Sequence, residues 1–169
     1  MRKALEPYIK LAPLVGVGLL VVAVAVAAIF YFQRGAHMEL LGSVKKVRTL
    51  ALDENSAAAI IDFRLQNPAD YRWVVRQAGV TMTDSKGNEL EGMMVSEMDA
   101  RRLFEYFPAL GQKYNDSLLP RAAIGPHATV DRMLAVRFEV PEKDVQQRKG
   151  LRVRIEDLGG PVSDVVEKR

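Results

Sequence analysis

Two hydrophobic periods divide the chain. From Leu11 to Gln33 the sequence reads LAPLVGVGLLVVAVAVAAIFYFQ, with no charge between Lys10 and Arg34. This pattern predicts a helix that is apolar on every face. A bilayer core about 30 Å thick takes roughly 20 helical residues at about 1.5 Å each, so the run is long enough to span. Twelve of the residues from Leu14 to Phe32 are Leu, Val, Ile or Phe. At about −0.3 to −0.6 kcal/mol each, they favour insertion by roughly −4 to −7 kcal/mol. Beyond Arg34 the period changes to two. Ala57, Ala59, Ile61, Phe63 and Leu65 alternate with Ala58, Ile60, Asp62, Arg64 and Gln66. Leu134, Val136, Phe138 and Val140 alternate with Ala135, Arg137 and Glu139, and Leu151, Val153 and Ile155 with Arg152, Arg154 and Glu156. Such alternation predicts half-buried antiparallel strands, apolar inward and charged outward.

Less regular strands are expected over Glu39–Val47 and Trp73–Thr83. Each loses register once, which suggests bulges, and Gly79 is a natural place for one. Glu89–Val95 and Ser117–Leu119 are shorter candidates. Turn signals lie at Asp53–Asn55, Asn67–Asp70, Asp84–Asn88 and Gly125–His127. Strands at this spacing with few helices predict a sandwich. One stretch breaks the pattern. SEMDARRLFEYF, Ser96–Phe107, has Ser at a plausible N-cap, Asp99 three residues on, and Pro108 to stop it, so a short helical insert is expected. A second helical turn fits after Pro141. The expected organisation is an N-terminal tail over 1–10, a transmembrane helix over 11–33, a linker over 34–38, a sandwich over 39–158 with the insert at 96–107, and a flexible tail over 159–169.

The apolar run has three readings, an uncleaved anchor, a cleaved signal and a buried soluble helix, and nothing else in the chain could wrap a helix apolar on every face. MRKALEPYIK has the basic character of a signal n-region, and Ala23–Ala28 offers small residues for cleavage. The run continues, however, through Ile29, Phe30, Tyr31 and Phe32, a cluster resembling an interfacial belt with Tyr8 opposite. An uncleaved anchor is therefore the expectation. Flanking charge barely orients it: Arg2, Lys3 and Lys10 on one side, Arg34, Lys45, Lys46 and Arg48 on the other. A long domain translocates largely regardless of charge, so the N-terminus is expected in the cytoplasm and the domain outside the inner or plasma membrane.

About 135 residues remain after the anchor, enough for one domain with a real core. With no cysteine, disulfides, thiolate catalysis and Cys-type zinc sites are excluded. The net charge of +3 is interspersed, with no basic stripe or aromatic ladder of the kind that reads nucleic acid. The two histidines, His37 and His127, have no partner at helical spacing, and no metal or other cofactor is expected. DSKGNE has the outline of a calcium loop but carries Lys86 where an oxygen ligand is needed, which favours a hairpin turn. Ser96, Asp99 and His127 can be drawn as a triad, as such residues can in any chain this size. No small-molecule substrate is evident.

The segment DFRLQNPADYRWVVRQAGVTMTDSKGNELEG resembles the late-embryogenesis-abundant, water-stress and hypersensitive-response domain. There a strand ends in an Asn-Pro-Asn-like turn, matched at Asn67-Pro68 with Ala69 in place of the second Asn, before an apolar strand and a hairpin. It also resembles the bacterial immunoglobulin-like (telokin-like) domains of lipoproteins and membrane-anchored proteins, whose closing pattern is similar to IGPHATVDRMLAVRFEVPEKDVQQRKGLRVRIED. Both resemblances cover roughly Val44–Leu158 and imply an immunoglobulin or fibronectin-like sandwich without a catalytic centre. The expected function is a single-pass, membrane-tethered module of the cell envelope, structural or protein-binding, partnered by the bilayer and by another envelope protein. The alternative is a stress-protective protein, and a minor one is a hydrolase or metal enzyme. The candidate partner surface is Arg101, Arg102, Phe104, Tyr106, Phe107 and Tyr114. The insert is expected either to cap one end of the sandwich with these aromatics buried or to present them.

Overall fold

The computed structural model describes residues 6–33 and 39–167, with helix side chains from 15 to 31. The linker at 34–38, with His37, therefore lies outside the described residues, as do residues 1–5 of the 1–10 tail and all of that tail's side chains. The chain divides into two units at Met38, each with its own internal contacts.

The first unit is α1, Glu6–Gln33. Its large apolar side chains from Val15 to Tyr31 are exposed on all sides. Among the described residues no helix is long and apolar enough to cross a membrane. The stretch with described side chains rises about 26 Å at 1.5 Å per residue, against about 30 Å for a bilayer core.

The second unit is a mostly antiparallel β-sandwich. Its strands are β1 (Leu41–Asp53), β2 (Ser56–Gln66), β3 (Trp73–Thr83), β4 (Glu89–Met94), β5 (Ala123–Ile124), β6 (Thr129–Phe138), β7 (Gly150–Asp157) and β8 (Val162–Val166). Two short helices, α2 (Glu97–Tyr106) and α3 (Glu142–Gln146), and a 3₁₀ turn at Pro108–Leu110 join them. The strand order is β1-β2-β6-β4-β3-β7-β8, with β5 paired to β3. β4 passes between the layers: Glu89–Gly92 pair with β3, and Met93 and Met94 pair with β6. β1-β2-β6 and β3-β7-β8 thus face each other, and their inward positions interdigitate. Ile61, Phe63 and Phe138 of one layer meet Met82, Leu151 and Ile155 of the other in one buried cluster. The layers also meet at their outer ends. The Leu40 amide donates to Ser163 Oγ at 2.7 Å, and Gly42 leaves no room for a Cβ beside Val165.

Several local expectations are corrected. β2 is not half-buried: Ala58, Ile60 and Asp62 on its outer side are as covered as the inward set. The cover is α2 and the 3₁₀ turn, which close a second apolar cluster of Ile60, Ala100, Leu110, Met133 and Ala135. The insert therefore lies on the outer face of β2 and β6, not over an end of the sandwich. The stretch 159–169, expected to be a flexible tail, supplies β8 through its described residues. Its Ser163 and Val165 are buried against the core, and Glu167 forms a two-pronged ion pair with Arg148 at 2.6 and 2.9 Å. β1 runs to Asp53 rather than Val47, with register shifts around Lys45 and Leu52. In β3 the register shift falls at Arg76, not Gly79. Ser117 makes only a single parallel bridge, to Met133.

Candidate functional site

α2 starts where a side chain can satisfy its free amides. Ser96 is extended, accepts from the Asp99 amide at 3.1 Å and donates to Asp99 Oδ2 at 2.7 Å. Glu97 and Asp99 then place negative charge in the first turn, where the helix dipole favours it. Ala100, Leu103 and Phe104 share one face at helical spacing and pack onto the outer cluster. The Phe107 amide closes the helix on the Leu103 carbonyl, and Pro108 prevents its continuation. Gly111, at φ 71°, turns the chain back toward the sheet, a conformation that favours glycine.

A buried ion pair fastens this insert down. Arg48 on β1 donates from Nη2 to Asp62 Oδ2 on β2 at 2.7 Å, with both side chains buried. Its Nη1 donates to the Leu110 and Gln112 carbonyls at 2.7 and 2.8 Å. Asn115 donates to the other Asp62 oxygen at 2.8 Å. The guanidinium carbon lies 5.0 Å from the Phe104 ring centre and 5.5 Å from that of Tyr114. One cation thus holds two sheet strands, the 3₁₀ turn and two aromatic rings, because its donors satisfy carbonyls that would otherwise be buried unpaired.

The six candidate surface residues separate into groups. Phe104 is half-buried over Arg48, and Tyr114 covers Arg48 from the loop while remaining exposed. Arg101 lies 3.9 Å from Glu97, one turn back on its own helix. Arg102, Tyr106 and Phe107 line one groove of about 400 Å³ with Leu52, Val95, Leu103, Asp99 and Arg137. Tyr106 is 74% exposed and Phe107 38%, so these two aromatics are presented rather than buried. Leu52, from the β1–β2 end, and Arg137, from β6, belong to the surface although their sequence neighbourhoods mark only strands. Arg102 pairs with Asp99 at 3.4 Å, and Arg137 lies 3.9 Å from Asp53. The Ser56 hydroxyl, with the Asn55 amide, holds the Asp53 carboxyl below its ordinary range.

Other candidate chemistry is occupied by local structure. The Ser96 hydroxyl caps α2, while His127 Nε2 lies 2.8 Å from Asp70 on an exposed turn. The Asp84 carboxylate is taken up by its own turn: Asn88 donates from its side chain and its amide, and the Lys86 amide also donates. These bonds lower the Asp84 pKa. The Asn67-Pro68 turn is stitched by a fully buried Asn67, whose side-chain amide donates to the Tyr71, Ile124 and Gly125 carbonyls. Among the described residues no group of three His, Asp or Glu side chains is placed to hold a metal ion. What the groove offers is apolar and aromatic surface flanked by the Arg102 and Arg137 guanidiniums and the Asp99 carboxylate.

Two solved structures are similar to the chain at low identity. An uncharacterised β-sandwich protein from Clostridium difficile 630 aligns with 77% of this chain and 86% of its own length, at 8% identity and a TM-score of 0.39. An ApaG protein from Pseudomonas aeruginosa PAO1 aligns with 68% of this chain and 90% of its own, at 12% identity and a TM-score of 0.34. No family model matches the chain, and no curated protein matches it.

Proposed function

We infer that this protein is a single-pass, membrane-tethered immunoglobulin-like sandwich that works as a binding module of the cell envelope and not as a catalyst. One observation carries the tethering: α1 exposes Leu, Val, Ile and Phe on every side, while the sandwich completes its own core without them. A helix apolar all round belongs in a protein interior or a bilayer. Its backbone runs through 28 residues, Glu6–Gln33, or about 42 Å, and its uncharged sequence from Leu11 to Gln33 matches a bilayer core. The strand order supports the immunoglobulin-like assignment. β1-β2-β6-β4 against β3-β7-β8 is the A-B-E-D against C-F-G arrangement of such domains, with β4 as the shared strand.

In this reading the groove beside α2 receives another envelope protein. Tyr106 and Phe107 supply anchoring area, and Arg102 and Arg137 set its polarity. The N-terminus lies in the cytoplasm and the domain outside. Protease added to intact spheroplasts tests the orientation, and crosslinking from a photoreactive residue at Tyr106 tests the surface. Digestion of the domain, with a discrete crosslinked species lost in Arg137→Glu, supports the reading. A domain protected in spheroplasts and digested in inverted vesicles reverses the orientation. A full chain without any crosslinked partner in intact membranes counts against the binding role.

A further inference from the structure

The insert that carries α2 is attached to the sandwich by its two ends. The Val95 amide donates to the Ala135 carbonyl at 2.9 Å, and the Leu118 amide to the Met133 carbonyl at 2.9 Å. Both ends are thus fixed to β6, at neighbouring positions. Among the described residues, the backbone-to-backbone bonds of 96–115 stay within the insert: Ala100 to Ser96, Phe107 to Leu103, Leu110 to Phe107 and Gly111 to Pro108. Lys113 Nζ donates to Glu97 Oε1, which ties the end of the segment to its beginning. Beneath it the β2–β6 ladder runs unbroken from Ala57–Phe138 to Gln66–Thr129. The segment can therefore leave the sheet without breaking that ladder and without losing its own bonds.

What holds the middle of the segment down is small and largely polar. Ala100 and Leu110 are its buried side chains, with Leu103 and Phe104 half-buried, and they rest on Ile60, Met133 and Ala135. The larger cluster between the sheets takes no residue from it. Its polar fasteners are the Arg48 bonds to the Leu110 and Gln112 carbonyls and the Asn115 bond to Asp62. When the segment lifts, water replaces those bonds, while Arg48 and Asp62, both on the sheet, keep each other, so no charge is stranded. Contiguous units of this kind open at a lower free energy than global unfolding. We propose that residues 96–115 form a strap that lifts from β2 and β6 as one unit while the sandwich stays folded, uncovering the apolar strip of Ile60, Met133 and Ala135. The groove beside α2 is assembled across this seam: Arg102, Tyr106 and Phe107 come from the strap, and Leu52 and Arg137 from the sandwich. Opening takes the groove apart, and a partner seated there holds the strap shut, a consequence that rests on the binding role proposed for the groove. The opening itself needs no partner, so its test stands apart from that role.

The test uses the full chain in detergent micelles and thiol labelling. The chain has no cysteine, so a single introduced thiol reports one position. Ala100→Cys reports the underside of the strap, Met133→Cys the sheet beneath it, and Ala59→Cys the cluster between the sheets. Labelling is followed in urea below the unfolding midpoint, where the urea slope of an opening scales with the surface it exposes. The expected result is one shared, shallow slope for A100C and M133C and a steeper slope for A59C. Ile155→Val, in the cluster between the sheets, separates the two events. It is expected to speed A59C labelling roughly two- to tenfold and to leave A100C and M133C unchanged. Hydrogen exchange on the unsubstituted chain covers the case of a reporter that fails to fold: the Phe107 and Leu110 amides are expected to exchange with a shallower urea slope than those of β2. The proposal is overturned if the three reporters share one slope, if Ile155→Val speeds all three alike, or if the insert's amides follow those of β2. Labelling of A100C alone, with M133C following A59C, means fraying of α2 and overturns it as well.

Discussion

At the scale of single residues, the insert is held by Arg48. Arg48→Met leaves the Asp62 carboxylate and the Leu110 carbonyl buried without their cation, and the expected loss is about 3–5 kcal/mol in urea unfolding. Replacing Arg48 and Asp62 together by apolar residues is expected to cost less than the single change, because no charge is then stranded. A single-variant loss under about 1 kcal/mol, the range of exposed pairs, contradicts this role. Glu97 gives a pH-dependent counterpart. Burial raises its pKa, but hydrogen bonds from Lys113 and Ser117 outweigh burial and leave it lowered from 4.5. A depressed carboxyl pKa stabilises the fold above the unfolded value and loses that contribution as the pH falls through the folded value. The stability gap between the native chain and Glu97→Gln is therefore expected to be widest above pH 4.5 and to narrow below it, as read by urea titrations across that range. Tyr106, Phe107 and Arg102 were legible as neighbours because helical spacing puts them together. Arg48 and Asp62 were not, since their meeting depends on the β1–β2 register and on a loop far along the chain. The one hint was Asp62 itself, a lone carboxylate between Ile61 and Phe63.

At the scale of elements, β8 shows where alternation is too short to read. Val162–Val166 holds only two inward positions, Ser163 and Val165, and follows Gly159, Gly160 and Pro161, which signal a loop. Cross-strand pairing to β7 overrides that signal. Removing the chain beyond Gly160 exposes the edge of β7 and breaks the Arg148–Glu167 pair. The expected outcome is aggregation or a clearly lowered unfolding midpoint; an unchanged midpoint would restore the flexible tail. Gly42→Val drives a side chain into Val165 and is expected to cost about 1–3 kcal/mol in the same assay. The strand with clean alternation was legible: β7 keeps Leu151, Val153 and Ile155 inward and Arg152 and Arg154 outward, whereas β6 also buries Met133 and Ala135 on its outer face under α2. The second covered face of β2 was not, because Ala58 and Ile60 read equally well as tolerated surface residues until α2 is placed above them.

At the scale of the whole molecule, the sandwich was legible from period and turn spacing, while the strand order was not, since alternation identifies faces and not neighbours. The proposed anchor is the feature on which the functional account depends. The proposed function requires the uncharged Leu11–Gln33 helix to partition into a bilayer without help from the domain, so attachment should resist both salt and alkali. The direct measurement is alkaline carbonate extraction of membranes from cells producing the full chain or the chain lacking residues 1–37. The account predicts that the full chain stays in the membrane pellet and that the shortened chain is released as a folded domain with the same urea midpoint. Release of the full chain by carbonate, as a protein of unaltered length, would contradict it.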